Sequence, residues 1–189
     1  MQTLAEEPGT RDDPLLVERF RRRDEAAFEQ VVALHRRTVY RVARSLLGSH
    51  EDADDAAQAA FIRAWRARQD FRGNASLRTW LVRIVLNVAK TMKAGRAEPW
   101  ILDGSALPAE AGSPLDERLE REQAGARVRG AVAALPPRQR EVVVLKIFGE
   151  LTHREVAAAM GLSEGAVKAH LHQAIANLRR RVAPGTEGR

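Results

Sequence analysis

Gly161 stands between two helix-start signals, Thr152 and Ser163, and this short interval constrains the fold more than any other stretch of the chain. Thr152 with Glu155 has the spacing of a capping box, in which hydroxyl and carboxylate reciprocally satisfy amide donors left free at a helix start. Ser163 can cap a second helix in the same way. A residue without a Cβ takes a left-handed conformation cheaply, so the first helix can stop and the chain turn at Gly161. In the second helix Val167, Leu171, Ala174, Ile175 and Leu178 recur by threes and fours, and this face is predicted to be buried. At about 100° per residue the opposite side carries Gly165, Ala169, His172, Gln173 and Ala176, with Lys168 on the flank and Arg179, Arg180 and Arg181 beyond. Small and hydrogen-bonding side chains followed by arginines suit a helix laid in the major groove of DNA. An ordinary helical hairpin shares the same turn and caps.

Charge supports an anionic partner through its distribution more than through its net value of +6. Residues 1–95 carry a charge of +4, residues 96–126 carry −4 and residues 127–189 carry +6, so two basic blocks flank an acidic bridge. The chain has no cysteine, which excludes a disulfide framework and thiolate metal sites. No apolar run approaches the roughly 18 residues of a membrane span, and the first residues lack a basic segment followed by an apolar core. A cytoplasmic protein without membrane insertion is expected. Abundant alanine, leucine, arginine and glutamate with few aromatics favour an all-α fold.

Residues 1–13 lack periodicity and read as a disordered tail. A helix is expected from Leu15 to Arg22, with Leu16, Val17 and Phe20 apolar. Asp24 can cap the next, which runs through Phe28, Val31, Val32, Leu34, Val39, Val42, Ala43 and Leu46 and stops near Gly48. Ser49 with Asp52 opens a third helix reaching Arg68, with Phe61 and Trp65 on its packed side and Glu51, Asp52, Asp54 and Asp55 crowding its first turn. Those acids with His50 could be weighed as a metal or acid-base cluster, but hard-cation sites usually need a looping ligand array, and a solvated helix start or a protein-binding face suits them better. No metal, cofactor or catalytic residue is expected; no Gly-rich phosphate loop or catalytic triad is present. Asp70 to Ser76 breaks the helix, and Ser76 can cap a fourth whose buried stripe is Leu77, Leu81, Ile84, Val85, Val88 and Met92. Trp80, Arg83, Asn87 and Lys90 line another face. An aromatic, cations and an amide on one stripe suit single-stranded nucleic acid, and equally a solvated face with Trp80 partly packed.

From Gly95 the periodicity fails, and residues 96–113 read as an acidic flexible linker carrying an apolar knot, Trp100, Ile101 and Leu102. Ser113-Pro114 reads as a helix start leading through Leu115, Leu119, Val128 and Val132 to Leu135, weakened by Gly125 and Gly130. Pro136-Pro137 restarts a helix containing Glu141 to Phe148 that Gly149 ends. Two small helical domains, 14–95 and 114–182, joined by the linker and followed by a tail at 183–189, are the expected organisation.

Asp52-Ala-Asp-Asp-Ala-Ala-Gln-Ala-Ala-Phe61-Ile-Arg-Ala-Trp65, followed by Phe71-Arg-Gly-Asn-Ala-Ser-Leu-Arg-Thr-Trp80 and on to Asn87, resembles region 2 of the extracytoplasmic-function (ECF) sigma factors. Leu135-Pro-Pro-Arg-Gln-Arg-Glu-Val142 and Leu151-Thr-His-Arg-Glu-Val-Ala through Gly161-Leu-Ser-Glu-Gly-Ala-Val-Lys168 resembles their region 4. The resemblance implies a helical region 2 bundle and a region 4 helix-turn-helix in an alternative sigma factor that binds bacterial RNA polymerase core and directs it to promoters. It implies docking on the clamp helices of the largest subunit through Asp52, Asp55, Gln58 and Ile62, and a further contact with the flap region. It implies recognition and melting of the minus-ten element by Phe71, Gly73, Asn74, Ala75, Ser76, Trp80, Arg83, Asn87 and Lys90. For the minus-35 element it implies Arg138, Thr152, Ser163, Gly165, Lys168, Ala169, His170, His172 and Gln173. An anti-sigma factor is a further implied partner.

The chain departs from the pattern of this family at several of these positions. Ala59 stands where relatives often carry an acid, and Ala169, His170 and Gln173 stand where Ser-Arg and a later Arg are common, so the promoter sequence cannot be borrowed from a relative. His170 and His172 point about 200° apart on a helix, which argues against a shared metal. The terminal hairpin also resembles response-regulator output domains. A free-standing helix-turn-helix regulator is therefore the alternative, and it leaves the stretch from Phe71 to Asn87 without a role.

Overall fold

A computed structural model of the chain describes residues 12–94, 128 and 130–182. Among these there is no strand: the elements are α1 (Pro14–Arg21), α2 (Glu25–Leu47), α3 (His50–Arg66), a 3-10 turn (Arg68–Asp70), α4 (Leu77–Ala94), a helical stub at 130–133, α5 (Pro137–Ile147), α6 (His153–Met160) and α7 (Glu164–Val182). The expected linker at 96–113, with Trp100 to Leu102, and the helix start at Ser113-Pro114 lie outside the described residues.

Local chemistry sets most of the boundaries. Asp13 caps α1 by accepting from Leu15 N–H, with Pro14 in the first turn, and Asp24 caps α2 by accepting from Ala27 N–H at 3.0 Å. Gly48 ends α2 at φ 82°, and Ser49 Oγ then accepts from Asp52 N–H to start α3. Asp12 and Asp13 therefore belong to the folded unit rather than to the tail expected over 1–13. Asp12 reaches across the bundle to accept from Leu77 N–H at 2.5 Å, because the first amides of α4 have no partner inside their own helix.

Helices α1 to α4 form the first unit around an aromatic knot. The Phe20 ring lies 6.1 Å from Phe28, 6.4 Å from Trp65 and 6.2 Å from Trp80, so one residue from each of the four helices meets at this point. Below it, α3 offers Ala53, Ala56, Ala60 and Ala64, all fully buried, where small side chains let α2 and α4 approach closely. Phe61 and Trp65 flank this alanine seam and are only half-buried. Arg68 is held beneath, with its guanidinium donating to the Trp65 carbonyl and lying 4.9 Å from that ring. One expectation fails here: Leu34, placed with the apolar positions of α2, is 65% exposed.

The second unit packs α7 against α5 and α6. Thr152 and Glu155 make the reciprocal capping box, Gly161 turns at φ 66°, and Ser163 Oγ accepts from Ala166 N–H at 3.1 Å. Val167 and Ala174 are fully buried and Leu171 and Leu178 partly so, whereas Ile175, expected on the same face, is 41% exposed. Ile175 lies next to Ala174 at the edge of a stripe that the three-helix unit is too small to cover. The apolar cluster is continuous between units, with Val142, Leu145, Leu151 and Val156 joining that of α1 to α4.

Candidate nucleic-acid and polymerase interfaces

The outward side of α3 is the surface opposite the alanine seam. Asp55 and Gln58 are exposed there, Ile62 is 44% exposed, and Asp52 is half-buried at the rim. Steps of three and four bring Asp55, Gln58 and Ile62 onto one stripe, so an apolar side chain projects beside an acid and an amide. His50 is accounted for locally: its Nδ1 lies 3.0 Å from Asp54 Oδ2 and 3.3 Å from the Tyr40 hydroxyl. Among the described residues no group of three or more His, Cys, Asp or Glu side chains could hold a metal ion.

The expected minus-ten residues divide into a buried and an exposed set. Phe71 is buried, its ring 5.2 Å from Trp80, and Trp80 is half-buried against Phe20. These two aromatics therefore anchor the loop to the bundle. Gly73, at φ 73°, and Asn74 are exposed on the loop they anchor, with Ala75 and Ser76 half-buried behind. Arg83 and Asn87 are exposed on α4, one turn apart, and Lys90 continues the stripe. The loop and this stripe make one polar strip along the start and outer side of α4.

Residues that were not singled out from the sequence also occupy that strip. Thr79 is 2% exposed, and its hydroxyl lies 2.9 Å from Ser76 Oγ and donates to Glu155 Oε1 at 2.9 Å. Ser76 Oγ donates to the same carboxylate oxygen at 3.3 Å. Burial alone would raise the pKa of Glu155, but hydrogen bonds from Thr152, Thr79 and Ser76 outweigh it and hold this carboxyl below its ordinary value. Asp12 is shifted the other way: burial raises it, against the Leu77 N–H and the Arg78 charge, and the nearby Glu155 charge adds to the rise. Glu150 Oε1 lies 3.0 Å from Arg41 and its Oε2 3.8 Å from Arg78, while Lys90 Nζ lies 3.0 Å from Glu141. Arg41 also lies over the Phe148 ring at 5.8 Å. Ser76 was expected as the cap of this helix, and nothing local pointed to a partner near position 155.

On α7 the residues Gly165, Lys168, Ala169, His172 and Gln173 are exposed and His170 is half-buried, so the expected minus-35 face is open to solvent. Gln173 is steered by α5: its Oε1 accepts from Gln139 Nε2 at 3.3 Å, and Gln139 Oε1 in turn accepts from Asn177 Nδ2 at 2.7 Å. The hydroxyls of Thr152 and Ser163 are committed to helix starts, and Arg138 lies exposed, 3.5 Å from Glu141. Burial, with Arg140 close by, pushes Lys93 down to about 8.

Residues 31–98 match the family described as Sigma-70 region 2, and residues 126–178 match Sigma-70, region 4. Over 158 residues the chain is 33% identical to the ECF RNA polymerase sigma factor SigM of Mycobacterium tuberculosis (strain ATCC 35801 / TMC 107 / Erdman), covering 83% of this chain and 78% of that protein. It is 31% identical to the ECF RNA polymerase sigma-E factor of Escherichia coli (strain K12), covering 91% and 95%. Among solved structures, CnrH in complex with the cytosolic domain of CnrY superposes with a TM-score of 0.67 at 30% identity, over 88% of this chain and 94% of that one. Both units and their order agree with these relationships: the chain belongs to the ECF family of RNA polymerase sigma factors, and it binds core polymerase and directs promoter-specific initiation.

Proposed function

We propose a residue-level division of this work. The Asp52, Asp55, Gln58 and Ile62 stripe of α3 docks on the clamp helices of the polymerase, with Ile62 as the apolar anchor. The Gly73 to Ser76 loop and the Arg83, Asn87 and Lys90 stripe of α4 take the melted minus-ten strand, and Phe71 and Trp80 hold the loop in place from below. Arg83 and Lys90 supply charge for phosphates and Asn87 an amide for a base edge, and such contacts can offset the few kcal/mol that unstacking costs. The Gly165 to Gln173 face of α7 enters the minus-35 major groove, with Lys168 on a phosphate and Gln173 positioned by Gln139. The observation that carries this reading is the exposure of Asn74 on the loop before α4 and of Arg83 and Asn87 along one side of that helix, whose opposite side, with Leu77, Leu81, Val85 and Val88, is buried. The protein works in the cytoplasm without chemistry of its own; no helix among the described residues is long and apolar enough to cross a membrane. A protein inhibitor that covers these faces is the regulatory partner we expect, as CnrH is found with a domain of CnrY.

Purified protein mixed with core polymerase should start transcription at a discrete promoter set. Sequence-specific DNA binding without any binding of core polymerase would instead establish a free-standing regulator. Asn87→Ala should impair promoter opening more than closed-complex formation, and equal loss at both steps would remove Asn87 from base reading.

A further inference from the structure

A chain of hydrogen bonds between α5 and α7 ends on the face of α7 assigned above to the minus-35 groove. Arg180 Nη2 donates to Asn177 Oδ1, Asn177 Nδ2 donates to Gln139 Oε1 at 2.7 Å, and Gln139 Nε2 donates to Gln173 Oε1 at 3.3 Å. Steps of three and four place Gln173, Asn177 and Arg180 along one side of α7, and Gln139, in the first turn of α5, bridges two of them. Gln139 and Asn177 are half-buried, while Gln173 and Arg180 at the two ends are exposed. An amide carries both a donor and an acceptor, so a relay of amides can run in either direction, and its end decides which. A guanidinium has N–H donors and no acceptor. Asn177 must therefore turn its oxygen to Arg180, which leaves its NH2 for Gln139. Gln139 then spends its oxygen on Asn177 and its NH2 on Gln173. The Gln173 oxygen is engaged, and its NH2 is the half left to face outward. An unconstrained glutamine pairs with adenine through oxygen and nitrogen together, accepting from N6 and donating to N7. A glutamine held in this way offers a donor, which suits the O6 of guanine or the O4 of thymine and not the amino groups of adenine or cytosine.

We propose that Gln139 is a specificity-determining positioning residue: with Asn177 and Arg180 it sets the polarity of the Gln173 amide, so that Gln173 selects a keto base, guanine or thymine, in the minus-35 element. The proposal rests on the placing of the α7 face in that groove. Gln139 acts without touching the base, because the group it presents to Gln173 decides which half of that amide is free. A single exchange of NH2 for oxygen at position 139 should therefore reverse what Gln173 reads.

The test uses the full chain with core polymerase and a promoter found in the transcription assay above, its minus-35 segment randomised and each template barcoded in its transcribed part. Transcripts are counted by sequencing, and the ratio of keto to amino bases is read at every randomised position. Gln173→Ala identifies the base pair concerned: the unaltered chain should favour keto bases there by about fivefold, the worth of one hydrogen bond, and the alanine variant should not. Gln139→Glu presents only acceptors, so Gln173 must turn its NH2 to the carboxylate and its oxygen outward, and the preference should invert to amino bases. The added negative charge weakens binding to all templates alike and cancels in the ratio. Gln139→Leu frees the Gln173 amide to rotate and should leave a preference below about twofold. If no position responds to Gln173→Ala, Gln173 is not a base contact and the proposal falls with that assignment. A responding position that favours amino bases in the unaltered chain, or that keeps its keto preference in Gln139→Glu, overturns the relay and leaves Gln173 as a base reader. Should Gln139→Glu lower the helix content, Arg180→Glu at the other end reverses every amide in the chain and should give the same inversion, and an unchanged preference there overturns the relay.

Discussion

Thr79→Val and Glu155→Ala, made singly and together, measure how firmly the two units are joined. The Thr79 hydroxyl is buried and donates to Glu155 Oε1 at 2.9 Å, across 76 positions of sequence. Valine keeps the shape of the side chain and removes the donor. A hydrogen bond to a charged group contributes about 1.5–3 kcal/mol, and because Glu155 is only partly buried the lower end applies, so Thr79→Val should cost about 1.5 kcal/mol. Glu155→Ala loses that bond, the Ser76 bond and its share of the capping box, the last about 1 kcal/mol by itself, for a total of roughly 3 kcal/mol. The pair shares one interaction, so the double variant should be more stable than the sum of the two losses by about 1.5 kcal/mol. Urea unfolding followed by far-ultraviolet circular dichroism and tryptophan fluorescence supplies the three differences. Additivity to within about 0.4 kcal/mol would refute the reasoning, because a hydroxyl and a carboxylate in contact cannot be independent.

Burial, aided by the Arg78 charge, holds His35 down at about 4, while in the unfolded chain it titrates near 6.5. The unfolded chain thus binds a proton that the folded one refuses. Stability should fall as pH drops from about 6.5 towards 4, by roughly 2 kcal/mol after allowing for partial solvation, and His35→Gln should flatten that part of the urea-midpoint profile; parallel profiles would exclude His35 as the cause. Gly161→Ala meets no atom within 4 Å, so its cost is conformational, about 1 kcal/mol at φ 66°, and a melting temperature that does not drop would contradict the left-handed turn. Lys168→Ala should weaken binding across promoters and lower the slope of log affinity against log salt by about one unit, and an unchanged slope removes Lys168 from the phosphate contacts.

What could be read from the residues was local. Asp24, Gly48, Ser49, Ser76, Thr152 with Glu155, Gly161 and Ser163 act within four residues of themselves, and each sits where its chemistry places a helix end. The exposed stripes of α3, α4 and α7 follow from the same periodicity, so the candidate faces were legible before any packing was known. Burial at the edge of a stripe was not. Leu34 and Ile175 have the right spacing, but whether a neighbour reaches them depends on helix placement and on the size of each unit. Trp80 could have stacked on nucleic acid or packed inward, and its ring contacts with Phe20 and with the buried Phe71 show it packed inward. Asp12 on Leu77 and Glu155 on Thr79 join positions 65 and 76 residues apart. Caps and periodicities are short-range consequences of backbone geometry, so the sequence by itself determined the helices and their faces. Pairings across the chain are selected by whichever packing leaves the fewest polar groups unsatisfied, and only the tertiary structure could decide that the acids of the second unit rest on the strip of α4.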